Sequence, residues 1–370
     1  MAAVTVALGL AACGGGSGGG IEGGGEKQVE TIKLEGKPSG SLTISNWPLY
    51  IDKATVPAFE KATGVSVKYI EDINSNEEFF NKMQPLLQQG ESGDRSIFVL
   101  ADYMVSKMYK LGYLQEFDKS ALPNFEKNLS PSLQHPPFDP NRDWTAPWQS
   151  GMTGIIVNKE LAPEVRSICD LFDPKYKGKV DFLNEVRETV PLVMKCEGVD
   201  PEKATEADWM KAIEKIKGAA ESGQIRRFTG NDYARDLTSG DAVAVIGWSG
   251  DAVQLQADNA NLEWRMPTEG CMLWSEDMVI PVGAPNPTAA EAWIDYVYEP
   301  KVQANIAEYV NYVTPVEGVK PILEKRSPEL ANNQLIFPSA SFTKNCSPTP
   351  PLEGEEEQKV IKAFDAVLNG

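Results

Sequence analysis

The chain has 370 residues, 42% of them hydrophobic, and a formal net charge of −18. That length holds two domains with a real core, and that charge disfavours nucleic acid and anionic membrane surfaces, both of which call for basic patches. A lone histidine, His135, followed by two prolines, rules against His-based triads and multi-His zinc sites and reads as a loop residue.

The chain starts with a short apolar run ending Leu10-Ala11-Ala12-Cys13, without basic residues before it. The run is too short to span a bilayer. It is similar to the end of a bacterial lipoprotein signal, with Cys13 as the lipidated residue. Residues 14–38, glycine-rich at first, read as a flexible tether. A lipid, a leash and a globular body describe a protein that is exported and anchored at the outer face of a membrane, touching it only through acyl chains.

The body begins near Ser39. Leu42 to Ile44 form a strand that enters the aromatic loop "NWPLY". A short helix follows, with Val56 and Phe59 on one face and Gly64 as its terminator. "VSVKYI" alternates as a strand. The next helix has Ser75 or Asn76 as N-cap and acids in its first turn. Its "DINSNEE" opening imitates a calcium loop but lacks the glycine and final glutamate one requires, so no metal is expected. "SIFVL" is a buried strand and "YMVSKMYKLG" a helix. This alternation marks an open, largely parallel α/β sheet, in which ligands sit beyond the carboxyl ends of strands. "NWPLY" and "ADY" fall at that edge.

Further on, "WTAPWQSGMTGIIVNKEL" reads as an apolar strand crossing between lobes, and "KGKVDFLNEVRETVPLVM" as strand, loop and helix. A strand from Ala242 to Ile246 leads to Trp248; "MLWSEDMVIPV" crosses back, and "PTAAEAWIDYVYEP" is an amphipathic helix. One lobe interrupted by another gives lobe 1 as 39–150 and 278–338, and lobe 2 as 151–277 and 339–370. Four cysteines follow Cys13. Their even number in an exported chain points to two disulfides. Three pairings are open; Cys169–Cys196, which closes a short loop, with Cys271–Cys346 is favoured. C-x-x-C spacing is absent, and nothing calls for a cofactor.

From Lys37 onward the ordered segments "SNWPLYI", "VLADYMVSKMYKLGYLQEFDKS", "PFDPNRDWTAPWQSGMTGIIVNK", "KYKGKVDFLNEVRET", "IGWSGDAV", "LWSEDMVIP" and "NYVTPV" resemble those of the spermidine/putrescine-binding proteins of bacterial ABC importers. The resemblance implies a two-lobed periplasmic-binding-protein-like fold of type II. Each lobe is then an open mixed sheet flanked by helices, and the lobes close by hinge motion on a ligand cleft between them. It implies a binding protein rather than an enzyme, with a small cationic amine as ligand, ABC permease subunits as partners and a monomeric state. Carried over position by position, the implied ligand-binding residues are Trp47, Tyr50, Tyr103, Glu185, Glu188, Trp248, Trp274, Glu276 and Tyr312. Asp251, which stands where some relatives have serine, joins them. Pro48 replaces a hydroxyl residue, Ala101 replaces a serine, Glu185 and Glu276 replace aspartates, and a late glutamine has no match in "TKNCSPTPP".

The chemistry is coherent with that set. Carboxylates hold the ends of an alkyl polyamine, and flat aromatic walls cover its stem. A desolvated cation–π contact contributes about 2 kcal/mol and each buried methylene about 0.8 kcal/mol. Core packing would equally employ Trp248 and Trp274, a helix start would employ Glu188, and Arg187 or Arg226 could form structural pairs with Glu185 and Glu188. Two other functions compete. A zwitterion such as γ-aminobutyrate would need an arginine for its carboxylate, with Arg187 and the Arg226–Arg227 pair as candidates. More remotely, paired carboxylates amid aromatics suit a hydrolase.

Overall fold

The computed structural model describes residues 37–350 and 352–370. Cys13 and residues 14–36 of the tether lie outside the described residues. The described strands are β1 (Ser41–Asn46), β2 (Ser66–Glu71), β3 (Ile97–Ala101), β4 (Ala146–Asn158), β5 (Val180–Leu183), β6 (Ile225–Thr229), β7 (Ala244–Trp248), β8 (Leu262–Arg265), β9 (Met272–Val279) and β10 (Ser347–Pro348). They run in the order β2-β1-β3-β9-β4-β7-β5-β6, with β8 on β4 and β10 on β9.

Two parallel groups form the ends of this order. β1 lies between β2 and β3, and β5 lies between β6 and β7. β4 and β9 join them antiparallel. The first half of β4, Ala146 to Thr153, pairs with β9, and its second half pairs with β7 and β8. At about 3.3 Å per residue, β4's 13 residues are long enough to serve both lobes. Every residue of β4 except Ser150 is buried, because the strand is covered on both faces.

Local chemistry sets the element ends. The helix Thr55–Thr63 stops at Gly64, whose φ of 77° is left-handed and whose N–H donates back to the Glu60 carbonyl. Ser75 caps the helix Asn76–Leu87, its hydroxyl accepting the Glu78 N–H. β7 starts at Ala244 rather than at Ala242. The Ala242 N–H is spent on the Asp236 carbonyl, closing the helix Tyr233–Ser239, so the strand begins later and ends on Trp248 itself. The helix Gly354–Leu368 packs against the helix Glu206–Glu221 on the β5–β7 side. Disulfides join Cys169 to Cys196 and Cys271 to Cys346; the second ties the start of β9 to the segment that leads into β10. No helix among the described residues is long and apolar enough to cross a membrane.

Candidate functional site

The carboxyl ends of both parallel groups face one pocket. It contains about 440 Å³ of space unfilled by atoms, part of it open to solvent. β1 delivers Trp47 and β7 delivers Trp248, whose rings meet edge to face across the cleft at 6.1 Å. β9 delivers Trp274 and Glu276, which lie two residues apart and therefore share a face. Tyr312 arrives differently. The helix Pro300–Val310 ends at Asn311, left-handed at φ 61°, and the paired backbones of Ser150 and Val313 then clamp the next turn. Its ring lies 5.3 Å from Tyr50 and 5.4 Å from Trp274. Two glycines admit these rings. A Cβ on Gly151 would sit 2.3 Å from the Trp274 ring, and one on Gly250 would sit 2.4 Å from Tyr312.

Three carboxylates line the pocket, Glu188, Asp251 and Glu276, and no basic side chain among the described residues lines it. Asp251 receives three donors: the Tyr312 and Tyr233 hydroxyls each donate at 2.6 Å, and the Asn231 amide donates at 2.8 Å. Glu188 accepts the Trp248 indole N–H at 2.8 Å and the Thr153 hydroxyl, both on Oε2. Burial nevertheless pushes Glu188 up to about 7, and raises Asp251 despite its donors. Glu276 has no donor at hydrogen-bond geometry among the described residues; the Tyr50 hydroxyl faces it without closing a bond. Burial, with the Glu188, Asp277 and Asp251 charges adding to it, holds Glu276 well above the usual carboxylate range, and the Tyr50 hydroxyl offsets only part of this. Three acids crowded into low dielectric with nothing positive among them call for a cation.

Of the ten residues named from the sequence, the structure gathers Trp47, Tyr50, Glu188, Trp248, Asp251, Trp274, Glu276 and Tyr312 around the pocket. Tyr103 and Glu185 do not line it. Glu185 instead reaches across the lobes and accepts from Asn76, through the backbone N–H at 3.1 Å and the side-chain amide at 3.4 Å. Tyr103 places its hydroxyl 3.0 Å from Glu77 and 3.2 Å from Glu185. One hydroxyl carries one proton, so Tyr103 cannot satisfy both carboxyls fully at once. Burial raises both. The physical reason for the displacement is Asn76, which fills the space between the pocket and this pair.

The arginines stand elsewhere. Arg187 bonds Glu357 at 2.8 Å and the Leu352 and Pro350 carbonyls, and lies 4.4 Å over the Tyr103 ring. Arg226 and Arg227 both bond Asp236. None of the three lines the pocket, and neither Arg187 nor Arg226 bonds Glu185 or Glu188. Sequence reasoning missed Asn76, Thr153, Asn231 and Tyr233. Asn231 and Tyr233 follow the end of β6, so the strand-end rule that singled out "NWPLY" applies to "TGNDY" as well. Thr153 and Asn76 carry no comparable signal.

The profile of the bacterial extracellular solute-binding proteins matches residues 54–338. A spermidine/putrescine-binding periplasmic protein of Escherichia coli K12 is 29% identical over 309 residues, covering 83% of this chain and 86% of its own. The structure of a spermidine/putrescine ABC transporter protein from Listeria monocytogenes superposes with a TM-score of 0.80 at 29% identity, over 88% of this chain and 98% of that one. A substrate-binding protein of a spermidine/putrescine ABC transporter from Streptococcus pneumoniae gives 0.72 at 26% identity, over 89% and 98%.

Proposed function

The chain belongs to the bacterial extracellular solute-binding proteins, and from that premise we propose that it captures a small polyamine in this cleft and delivers it to the permease of an ABC importer. The observation that carries the reading is a pocket with three carboxylates, five aromatic side chains and no basic lining residue among the described ones. A protonated amine supplies the cation that these acids call for. Glu276, lacking a donor, takes an ammonium group against the Trp274 face, and Glu188 takes another beside Trp248. Trp47, Tyr50 and Tyr312 cover the methylenes between. A zwitterion finds no arginine for its carboxylate, because Arg187, Arg226 and Arg227 are all spent on other acids.

The division into lobes 39–150 with 278–338 and 151–277 with 339–370 belongs to the same reading. It cuts both β4 and β9 within the stretch over which they pair with each other, which suits a two-stranded hinge. The test is mass spectrometry of the small molecule that co-purifies, followed by titration calorimetry with diamines and triamines. Amine binding should also shrink the radius of gyration and change tryptophan fluorescence. Retention of a carboxylic acid with no amine bound would overturn the reading.

Affinity should fall with acidification. Glu188 must be charged to hold an ammonium group, and its carboxyl sits at about 7 in the free protein. Binding therefore releases protons, and the dissociation constant should rise as pH drops from 8 to 6. Stability runs the other way. A carboxyl raised from 4.5 to about 7 destabilises the free fold once charged, by about 3 kcal/mol fully developed above pH 7 and absent below 4.5. The rise in Tm on adding amine should be larger at pH 8 than at pH 6. An equal rise at both would contradict it.

Lipidation at Cys13 completes the proposal, placing the tethered protein at the outer face of the membrane. Cys13→Ser should leave the membrane fraction when cells are fractionated; unchanged retention would refute the anchor.

A further inference from the structure

Asn76 is 2% exposed, and its side chain forms one end of the pocket. Both of its polar groups are committed. Its carbonyl accepts the Ala101 N–H at 2.9 Å, and its amide faces Glu185 at 3.4 Å. Behind it stand Glu185, Tyr103 and Glu77, bonded to one another and cut off from the pocket. The acceptors left to a ligand are then few. Asp251 already receives three donors, which leaves one lone pair on its Oδ1 beside the unpaired Asn231 Oδ1. Glu188 has both of its donors on Oε2, leaving Oε1. Glu276 has both oxygens without a bonded donor among the described residues. Glu188 and Glu276 are thus the pocket carboxylates with a whole oxygen open to an ammonium group. Where Asn76 lines the pocket, a third cation could reach an acid only at Glu185, after displacing Asn76 and breaking its bonds to Ala101 and Glu185.

Resting on the polyamine reading above, we propose that Asn76 is a specificity-determining residue that closes the pocket to a third ammonium group, so that the protein selects diamines over triamines. A triamine that extends towards Asn76 must either leave its extra ammonium desolvated against Asn76 and Ala101, without an acceptor, or pull the end wall apart. Both cost more than the added methylenes return. Asn76 thus acts by blocking, as an end wall that offers its hydrogen bonds to the protein and none to the ligand.

Titration calorimetry with 1,4-diaminobutane and with spermidine tests this. The wild-type protein should bind the diamine at least tenfold more tightly. Asn76→Ala should bring that ratio down at least fivefold by strengthening spermidine binding, since it opens a path to Glu185. Adding Glu185→Gln to Asn76→Ala should remove the gain in spermidine while leaving the diamine within a fewfold. The ratio separates a specificity role from a merely structural one, which would weaken both ligands together. If Asn76→Ala does not fold, Asn76→Ser carries the same expectation, because serine also suits a helix start. Wild-type protein that binds spermidine as tightly as the diamine overturns the proposal, as does a ratio that Asn76→Ala or Asn76→Ser leaves unchanged. If neither amine binds, the polyamine reading itself falls.

Discussion

Glu276→Gln is expected to weaken amine binding ten- to a hundredfold while leaving the free protein at least as stable. The substitution keeps shape and removes charge. Losing a charge-assisted bond in a closed site costs roughly 1.5–3 kcal/mol, which is that range of affinity. Stability moves in the opposite direction because Glu276 is buried, 6% exposed, without a bonded donor, and beside the Glu188 and Asp251 charges. Its neighbour gives the contrast. Asp277 turns to the other face of β9 and pairs with Arg142 at 2.8 Å, at 0% exposure. Asp277→Asn leaves that guanidinium partly uncompensated in the core, a change in the class that costs about 3–5 kcal/mol. Its Tm should fall by many degrees and its affinity by only a fewfold. Calorimetric titration and thermal melts of the two variants decide the matter. Reversed results, with binding lost in Asp277→Asn and kept in Glu276→Gln, would mean that the other acid faces the ligand.

Gly151→Ala should abolish most of the binding without touching any polar group of the pocket. Gly151 lies opposite Trp274 in the β4–β9 ladder, and the indole folds over it so closely that a methyl would stand 2.3 Å from its ring. The ring has to swing away or the strands have to part. The first removes one wall, worth the cation–π contact and part of a buried stem, about 2–3 kcal/mol together. The second adds an overpacking cost of roughly 1–3 kcal/mol. A ten- to hundredfold loss in affinity, with altered near-ultraviolet circular dichroism, is the expected outcome. Gly218→Ala is the control. Gly218 lies within the helix Glu206–Glu221, where a Cβ meets nothing within 4 Å, so alanine there should stabilise by about 0.5–1 kcal/mol. Full affinity in Gly151→Ala would show that Trp274 is not a wall of the ligand site.

Much of the fold was legible because its signals are local. Alternating "VSVKYI", capping Ser75 and terminating Gly64 each act through their own few residues, and each element stands where those residues put it. The crossing strands were legible too, since a run as long and apolar as β4 in an α/β chain has to be covered on both faces. The start of β7 was not, because the Ala242 N–H is claimed by Asp236 through a tertiary arrangement of helix and turn.

The candidate site divides along the same line. Residue types and their order determine the chemistry: aromatic rings and acids at strand ends, with Trp274 and Glu276 on one face by the two-residue period of a strand. Which acids stay free for a ligand is a matter of distance between segments far apart in the chain. Asn76 and Glu185 are separated by 109 positions, and only the tertiary contact between their segments spends Glu185 on Asn76 rather than on the cleft. The same holds for the arginines, neutralised by Asp236 and Glu357. The sequence by itself therefore determined the elements that carry local signals, the two-lobed plan and a pocket of rings and acids. The tertiary structure alone decided how many of those acids remain without a donor, because hydrogen bonds and burial depend on packing between lobes that no local pattern encodes.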